Sequence, residues 1–145
     1  MTIRVEGLKD LEAALFEMKT ATAKSLGRRV LKAAGEPVAA KANANAPDGP
    51  TGKLSESYTV STRLNRAQRR EARPVSPDEV LMFIGTNDAA GVQQEFGNAR
   101  HGAQPHFRPA WGAEAQPTLE RVADGLAVEV EKAAARARRK SAKGR

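Results

Sequence analysis

Residues 8–38 read LKDLEAALFEMKTATAKSLGRRVLKAAGEPV, the longest periodic segment of the chain. Apolar side chains recur along it every three or four positions, which is the spacing of one face of an α-helix. This face comprises Leu8, Leu11, Leu15, Met18, Thr22, Leu26, Val30, Ala34 and Val38. Gly35 and Pro37 lie near the end of the stretch, so we expect the helix to kink or end there.

Two further patterns flank this helix. Residues 2–6 alternate between polar and apolar side chains, which predicts a short strand that ends at Gly7. Close to the C-terminus, apolar residues again follow the spacing of one helix face. Their positions are Leu119, Val122, Leu126, Val130, Ala133 and Ala137. We therefore expect a second helix that runs into the basic C-terminal residues.

The middle of the chain carries strand patterns separated by turn-forming residues. Alternation over residues 54–64 predicts a strand with one apolar face. The continuous apolar run at 80–84 predicts a strand covered on both faces, and residues 92–96 predict a further strand. Glycine and proline mark loops at 65–79, expected to be mobile, and at 98–109.

These elements predict an α+β fold in the order β-α-β-β-β-α. A small antiparallel or mixed sheet packs against a long N-terminal helix and a C-terminal helix. We expect a single domain over residues 1–131, followed by a basic tail at 132–145 that ends the last helix and is partly disordered. The sequence contains no apolar run of the roughly 18 residues that a membrane span needs, so no membrane association is expected.

The net charge of +7 is concentrated at the C-terminus. Residues 132–145 hold seven of the 24 basic residues and no acidic one, which leaves 17 basic and 17 acidic residues in 1–131. The predicted domain is therefore neutral. The basic tail is either an arm that reaches a phosphate backbone or acidic protein surface, or a solvated segment that favours solubility.

No set of residues predicts catalysis, cofactor binding or a metal site. The sequence has no cysteine, and His101 and His106 lie in a predicted loop without helical metal-ligand spacing, so we interpret both as exposed. Glu95 has no partner in sequence and is interpreted as a member of a structural ion pair. Residues 49–54 lack the spacing of a phosphate-binding loop. We expect a protein that is not an enzyme.

Several short phrases occur in a fixed order along residues 3–112. They are Val5-Glu6-Gly7-Leu8, Ala46-Pro47, Thr51-Gly52-Lys53-Leu54, Ile84-Gly85, Glu95-Phe96-Gly97 and Ala103-Gln104-Pro105-His106-Phe107-Arg108-Pro109-Ala110. This series resembles the small neck or tail-completion (tail-component) proteins of tailed bacteriophages. Asn98 stands where that family usually has threonine.

The resemblance implies a structural virion protein at the head–tail junction, with either a neck-connecting or a tail-terminating role. Subunits are expected to form a ring, with a hexamer anticipated, around the channel for packaged double-stranded DNA. Expected partners are further copies of the chain, head-completion or connector proteins and the tail tube protein. The protein would assemble in the host cytoplasm and reside in the virion of a phage or a phage-derived gene transfer particle.

Two groups of residues are candidates for contacts in such an assembly. The subunit-interface candidates come from the stiff segment at 105–109 and from the phrase at 95–97. They are Glu95, Phe96, Pro105, Phe107, Arg108 and Pro109. We interpret Phe107 as an interface plug and not as part of a strand or helix core. The DNA-facing candidates are Arg63, Arg66, Arg69, Arg70, Arg73, Lys132, Arg136, Arg138, Arg139 and Lys140.

Two other function classes remain open at this stage. A non-sequence-specific nucleic-acid-binding protein would use the same basic tail, although the neutral domain and the scarcity of aromatic residues for base stacking weigh against it. A small hydrolase or toxin would need a catalytic set of residues that the sequence does not display.

Overall fold

The computed structural model describes residues 20–144. The predicted strand at 2–6 and the first part of the predicted N-terminal helix, residues 8–19, lie outside the described residues. Within them, the chain combines two long helices, two short helices and a small antiparallel sheet. The α+β prediction is confirmed.

The first long helix, α1 (Thr20–Asn45), continues ten residues past the glycine at which we expected a kink or an end. Pro37 lies inside it, although an interior proline removes a hydrogen bond and costs about 3 kcal/mol. The residues that follow are fully packed, with Val38 and Ala42 0% exposed. Helices in proteins are stabilised mainly by packing of an apolar face, which explains why α1 tolerates the proline. We expected a kink or an end at this point; the end was wrong, and the kink stays a prediction.

The second long helix, α4 (Phe107–Lys143), packs antiparallel to α1. Two ion pairs join the helices: Arg29 to Glu129 at 2.8 Å and Lys41 to Glu114 at 3.0 Å. The helix begins within the predicted loop 98–109, and it continues to Lys143, so most of the predicted basic tail is helical. Neither long helix has an apolar stretch sufficient to cross a bilayer in the part of the chain described.

The sheet has two strands, β1 (Thr59–Ser61) and β2 (Phe83–Gly85), which pair antiparallel with Val60 opposite Ile84. The strand predicted at 54–64 was too long, because residues 54–56 form a 3₁₀ turn. There Ser55 and Ser57 donate hydroxyl hydrogen bonds to the carbonyls three residues earlier, at 2.8 Å each, and these local bonds compete with strand pairing.

The second predicted strand also needs correction. We expected residues 80–84 to be covered on both faces, but β2 has a single neighbouring strand among the described residues and all three of its residues are only half buried. The apolar run reflects contacts made before the strand begins, since Val80 packs against Gly27 of α1.

Two short helices replace a predicted loop and a predicted strand. The first, α2 (Arg66–Glu71), lies in the predicted loop 65–79 and starts with a capping box between Asn65 and Gln68. The second, α3 (Ala89–Phe96), occupies the segment predicted as a strand at 92–96. That prediction was wrong, because Asp88 caps the helix by accepting a hydrogen bond from the Ala90 amide at 2.9 Å.

The core forms where α1 meets the sheet and α4. The predicted apolar face of α1 is confirmed at Leu26, Val30, Ala34 and Val38, which are all buried, whereas Thr22, also predicted on this face, is exposed. A second set of buried residues surrounds the sheet: Ala39, Ala42, Ala46, Leu54, Tyr58, Val60 and Ala110. The start of α4 is thereby held against β1, next to the end of α3.

Candidate functional site

The junction between α3 and α4 is organised by the carboxylate of Glu95. Its Oε2 accepts hydrogen bonds from the backbone amides of His106 at 2.7 Å and Phe107 at 2.9 Å. Its Oε1 accepts from the Arg108 amide at 3.0 Å and from Arg108 Nε at 2.9 Å. The first amides of a helix lack partners within the helix and attract negative charge. Glu95 therefore caps α4 from a neighbouring helix.

The electrostatic balance at Glu95 favours its charged form. Burial alone would raise the pKa of this 4% exposed side chain, but the amides of His106 and Phe107 and the side chain and amide of Arg108 lower it to about 2. The interpretation of Glu95 as a structural ion-pair member is confirmed by its contact with Arg108.

The loop from 97 to 105 is tied to α3 at both ends. Gly97 has φ of 76°, and a Cβ at this position would lie 2.7 Å from the Ala103 amide nitrogen, so another residue would not fit. Asn98 Oδ1 accepts hydrogen bonds from the amides of Arg100 and His101. The Gln104 amide then donates to the Gln94 carbonyl at 2.6 Å, which closes the loop.

His106 and Tyr58 extend the Glu95 cluster, which we define as Tyr58, Glu95, His106 and Arg108. His106 is 0% exposed, so the prediction of an exposed loop histidine was wrong for it and correct for His101. Its Nδ1 lies 3.0 Å from the Gln104 carbonyl, which can only accept, so Nδ1 carries a proton. In the neutral ring Nε2 then accepts from the Tyr58 hydroxyl at 2.7 Å.

Tyr58 is held neutral in this cluster. Burial, followed by the negative charges of Glu95 and Asp88, raises its pKa to about 12. The hydrogen bond to His106 gives its hydroxyl a buried partner. The His106 ring is inaccessible to solvent, and the cluster connects the residue before β1 with α3 and α4.

The interface candidates divide between buried and exposed positions. Phe107 is half buried and stacks on Tyr58, with ring centroids 5.6 Å apart and planes 18° apart, so it packs on the core of its own chain. This differs from the predicted plug outside any helix or core. Phe96 is 64% exposed, and Pro105, Arg108 and Pro109 are also exposed. A contact with another subunit stays a prediction for these residues.

The arginines of the predicted loop occupy different settings. Arg66, Arg69 and Arg70 are exposed on α2, and Arg63 is exposed before it. Arg73 forms an ion pair with Glu79, which partly neutralises it. Closeness in sequence therefore does not make these five arginines one continuous charged surface.

The basic residues at the end of α4 are ordered by the helix itself. A helix turns 100° per residue, so four exposed residues fall within about 60° of one another on one side. This basic face of α4 consists of Lys132, Arg136, Arg139 and Lys143. The half-buried residues Val130, Ala133 and Ala134 lie on another side of the helix, 100° or more from Lys132. Lys140 lies beside the basic face, and Arg138 is exposed on another side.

Comparison with known protein families gives one match. A family model described as "Bacteriophage HK97-gp10, putative tail-component" matches residues 9–97, more than half of the chain. The chain belongs to this family. Neither the curated proteins nor the solved structures contain a match. Membership in the tail-component family identifies a structural protein of a bacteriophage tail, and hence a virion component.

The family match ends at Gly97, two residues after Glu95, the glutamate that caps α4. The structure therefore joins the last matched phrase of the tail-component family to residues 104–108, which lie outside the match. Both phrases stand out in the sequence, but the bond between them and the roles of Tyr58 and His106 do not. One signal for this bond was available in the sequence: Glu95 is an acidic residue just before Gly97. The helix that follows, α4, has no capping side chain of its own and can accept such a residue as its cap.

Proposed function

We propose that the chain is a structural protein of the head–tail junction that forms a ring around the DNA channel. In this position it joins the DNA-filled head to the tail, contacting head-completion or connector proteins on one side and the tail tube on the other. Membership in the tail-component family supports the general role. The proposal for the channel rests on the basic face of α4.

The basic face is suited to contact with DNA of any sequence. Lys132, Arg136, Arg139 and Lys143 extend about 16 Å along the helix. Double-stranded DNA carries one phosphate charge per roughly 1.7 Å, so this length corresponds to about ten phosphates. The side chains are exposed and carry no neighbouring aromatic or amide groups of the kind that read bases. Contacts would therefore be electrostatic.

A ring multiplies this modest charge without binding DNA tightly at any one subunit. Each copy offers the charges of Arg136, Arg139 and Lys143 on the basic face, whereas Lys132 pairs with Glu129 at 3.3 Å; residues 1–131 are neutral overall. DNA must pass along the channel when the head is filled and when it is emptied, which a strongly basic lining would oppose. Weak, repeated phosphate contacts that exchange with salt ions allow such movement.

The test compares three double variants that each remove two positive charges. Arg136→Gln with Arg139→Gln alters the basic face, and Arg66→Gln with Arg70→Gln alters α2. Arg28→Gln with Lys32→Gln is the matched control, because both residues are exposed on α1. Particles carrying each variant are examined by electron microscopy for assembly, and DNA retention and ejection are measured at several salt concentrations.

We expect all three variants to assemble and the basic-face variant alone to change retention or ejection, most strongly at low salt. The same behaviour for the basic-face and control variants would contradict a DNA-facing role for α4. If the α2 variant changed DNA retention or ejection and the basic-face variant did not, the DNA contact would be assigned to α2. Absence of the wild-type protein from the junction of purified particles would contradict the proposed location.

One alternative is supported by the same basic face. A non-sequence-specific nucleic-acid-binding protein would bind DNA as a soluble monomer, with an affinity that falls steeply as salt rises. A DNA-binding assay on the isolated protein distinguishes the two functions. Monomer binding at physiological salt, together with absence from particles, would favour the alternative.

A further inference from the structure

We propose that a cavity beside α2 binds an acidic peptide segment of a partner protein, in which a carboxylate side chain neighbours a large apolar one. The cavity lies between α2, the loop after it and β2, and has a volume of about 580 Å³. We call it the arginine cavity, and its lining includes Arg63, Leu64, Arg69, Ala72, Val75 and Phe83. It is separate from the basic face of α4, so the inference goes beyond the proposed function and does not depend on it.

The floor of the arginine cavity is the side of the sheet that faces away from α1. Val60 and Ile84, which pair across the strands, both approach Gly35 of α1. Successive side chains of a strand point to opposite faces, so Phe83 points away from α1 and toward the cavity. Val75, which is 48% exposed, forms part of the wall. This apolar surface can bind an aromatic or branched aliphatic side chain.

The rim of the cavity is positively charged. Arg63 and Arg69 are exposed, and within residues 20–144 neither guanidinium group forms an ion pair or a hydrogen bond. The third arginine of the lining, Arg73, is engaged, since its Nη1 donates to Glu79 Oε2 at 2.8 Å. Glu71 lines a neighbouring cavity and not this one. Two guanidinium groups without an acidic residue in the lining select an anionic ligand.

The chain itself orders the wall and the rim. The ion pair between Arg73 and Glu79 spans the loop after α2, and the Glu79 amide also donates to the Ser76 carbonyl at 3.0 Å. The capping box between Asn65 and Gln68 fixes the start of α2, between the two free arginines in sequence. Walls that are already ordered lose less entropy when a ligand binds.

The combination of an apolar floor and a positive rim favours a peptide over a nucleic acid. Guanidinium groups bind carboxylates and phosphates alike. The backbone of duplex DNA presents its phosphates without an apolar group that could contact Phe83, whereas a peptide supplies a carboxylate and an apolar side chain on neighbouring residues. Arg66 and Arg70 of α2 do not line the cavity, and for them a DNA contact stays a prediction.

Titration of the full chain with synthetic peptides, followed by nuclear magnetic resonance, tests the site. The probe is a capped pentapeptide with phenylalanine between two aspartates. One analogue has lysines in place of the aspartates, and another has glycine in place of phenylalanine. We expect saturable shifts of the Phe83 and Val75 signals with the probe, and much weaker binding of both analogues.

Variants locate the contact within the chain. Arg63→Gln with Arg69→Gln should weaken binding of the probe about tenfold or more, because both charged donors are lost. Val75→Glu should weaken it as well, because it places a carboxylate in the wall. The matched control is Arg66→Gln with Arg70→Gln, which removes the same charge from α2 outside the cavity and should change the affinity less than about twofold.

Several outcomes would overturn the inference. Absence of saturable shifts at millimolar probe would reject the site, and equal binding of the lysine analogue would leave an apolar contact without charge selection. Equal shifts with the glycine analogue, inorganic phosphate or a duplex oligonucleotide would mean a general anion site, which the oligonucleotide result would assign to DNA. Equal weakening in the control variant would indicate unspecific attraction. Phe83 signals that depend on protein concentration alone would mean that a second copy fills the cavity. These measurements use the isolated protein, so the proposed function stands or falls by its own test.

Discussion

At the α3–α4 corner, Glu95 is 4% exposed and its carboxylate accepts four hydrogen bonds, whereas the four side chains of the basic face of α4 are all exposed. The first region uses charge to hold the chain together. The second leaves the charges of Arg136, Arg139 and Lys143 available to a partner, although Lys132 pairs with Glu129. The comparison teaches that burial and bonding, and not residue type, separate a structural charge from a binding charge in this protein.

The largest expected effect comes from removing the charge at the corner. Glu95→Gln should lower the free energy of unfolding at pH 7 by about 3–5 kcal/mol, because the buried amides of α4 and Arg108 lose their charged acceptor. Urea denaturation measures the change. The control is Glu120→Gln, an exposed glutamate without an ion pair among the described residues, which should stay within about 0.5 kcal/mol. Equal effects of the two variants would contradict a structural role for the charge of Glu95.

Acid should reveal the same contribution in the unmodified protein. The pKa of Glu95 is lowered from 4.5 to about 2, so its stabilisation is present above pH 4.5 and is lost as the pH falls through 2. The loss is on the order of 3 kcal/mol. Denaturation of the wild type and of Glu95→Gln is compared across this range, since the variant lacks the group. If the unfolding free energies of the two proteins changed with pH in the same way, Glu95 would not be the source of the acid sensitivity.

Two neighbouring phenylalanines sharpen the comparison. Phe107→Ala should cost about 2–3 kcal/mol of unfolding free energy, less than the 3–5 of a fully buried phenylalanine, because Phe107 is half buried on Tyr58. Phe96→Ala should stay within about 0.5 kcal/mol, because the side chain is 64% exposed. Thermal melts of the isolated protein measure both. A Phe107 variant of full stability that fails to assemble would instead support the interface plug predicted from sequence.

The smallest expected effect lies at the basic face. Arg136→Gln with Arg139→Gln should change the unfolding free energy by less than about 0.5 kcal/mol, because both side chains are exposed and neither forms an ion pair within the described residues. Circular dichroism should retain the helix signal. A loss of stability as large as that of Glu95→Gln would show that these charges are structural.

The two long amphipathic helices could be predicted from local sequence, because a helix face repeats every three or four residues. Leu26, Val30, Ala34 and Val38 are buried as that spacing predicts. Order and identity of the short phrases likewise indicated the tail-component family, which the match over residues 9–97 confirms. The concentration of basic residues at 132–145 is also evident from the sequence. Their arrangement along one side of a helix became evident only when the structure showed that α4 continues to Lys143.

Only the tertiary structure decided the boundaries and the partners. Packing against the sheet carried α1 past Pro37, and an aspartate cap made a helix of residues predicted as a strand. Glu95 reaches amides 11 to 13 positions away, a distance over which local periodicity carries no information. Local spacing fixes which face of a helix is apolar, but contacts between distant residues fix where helices stop and which charges are buried.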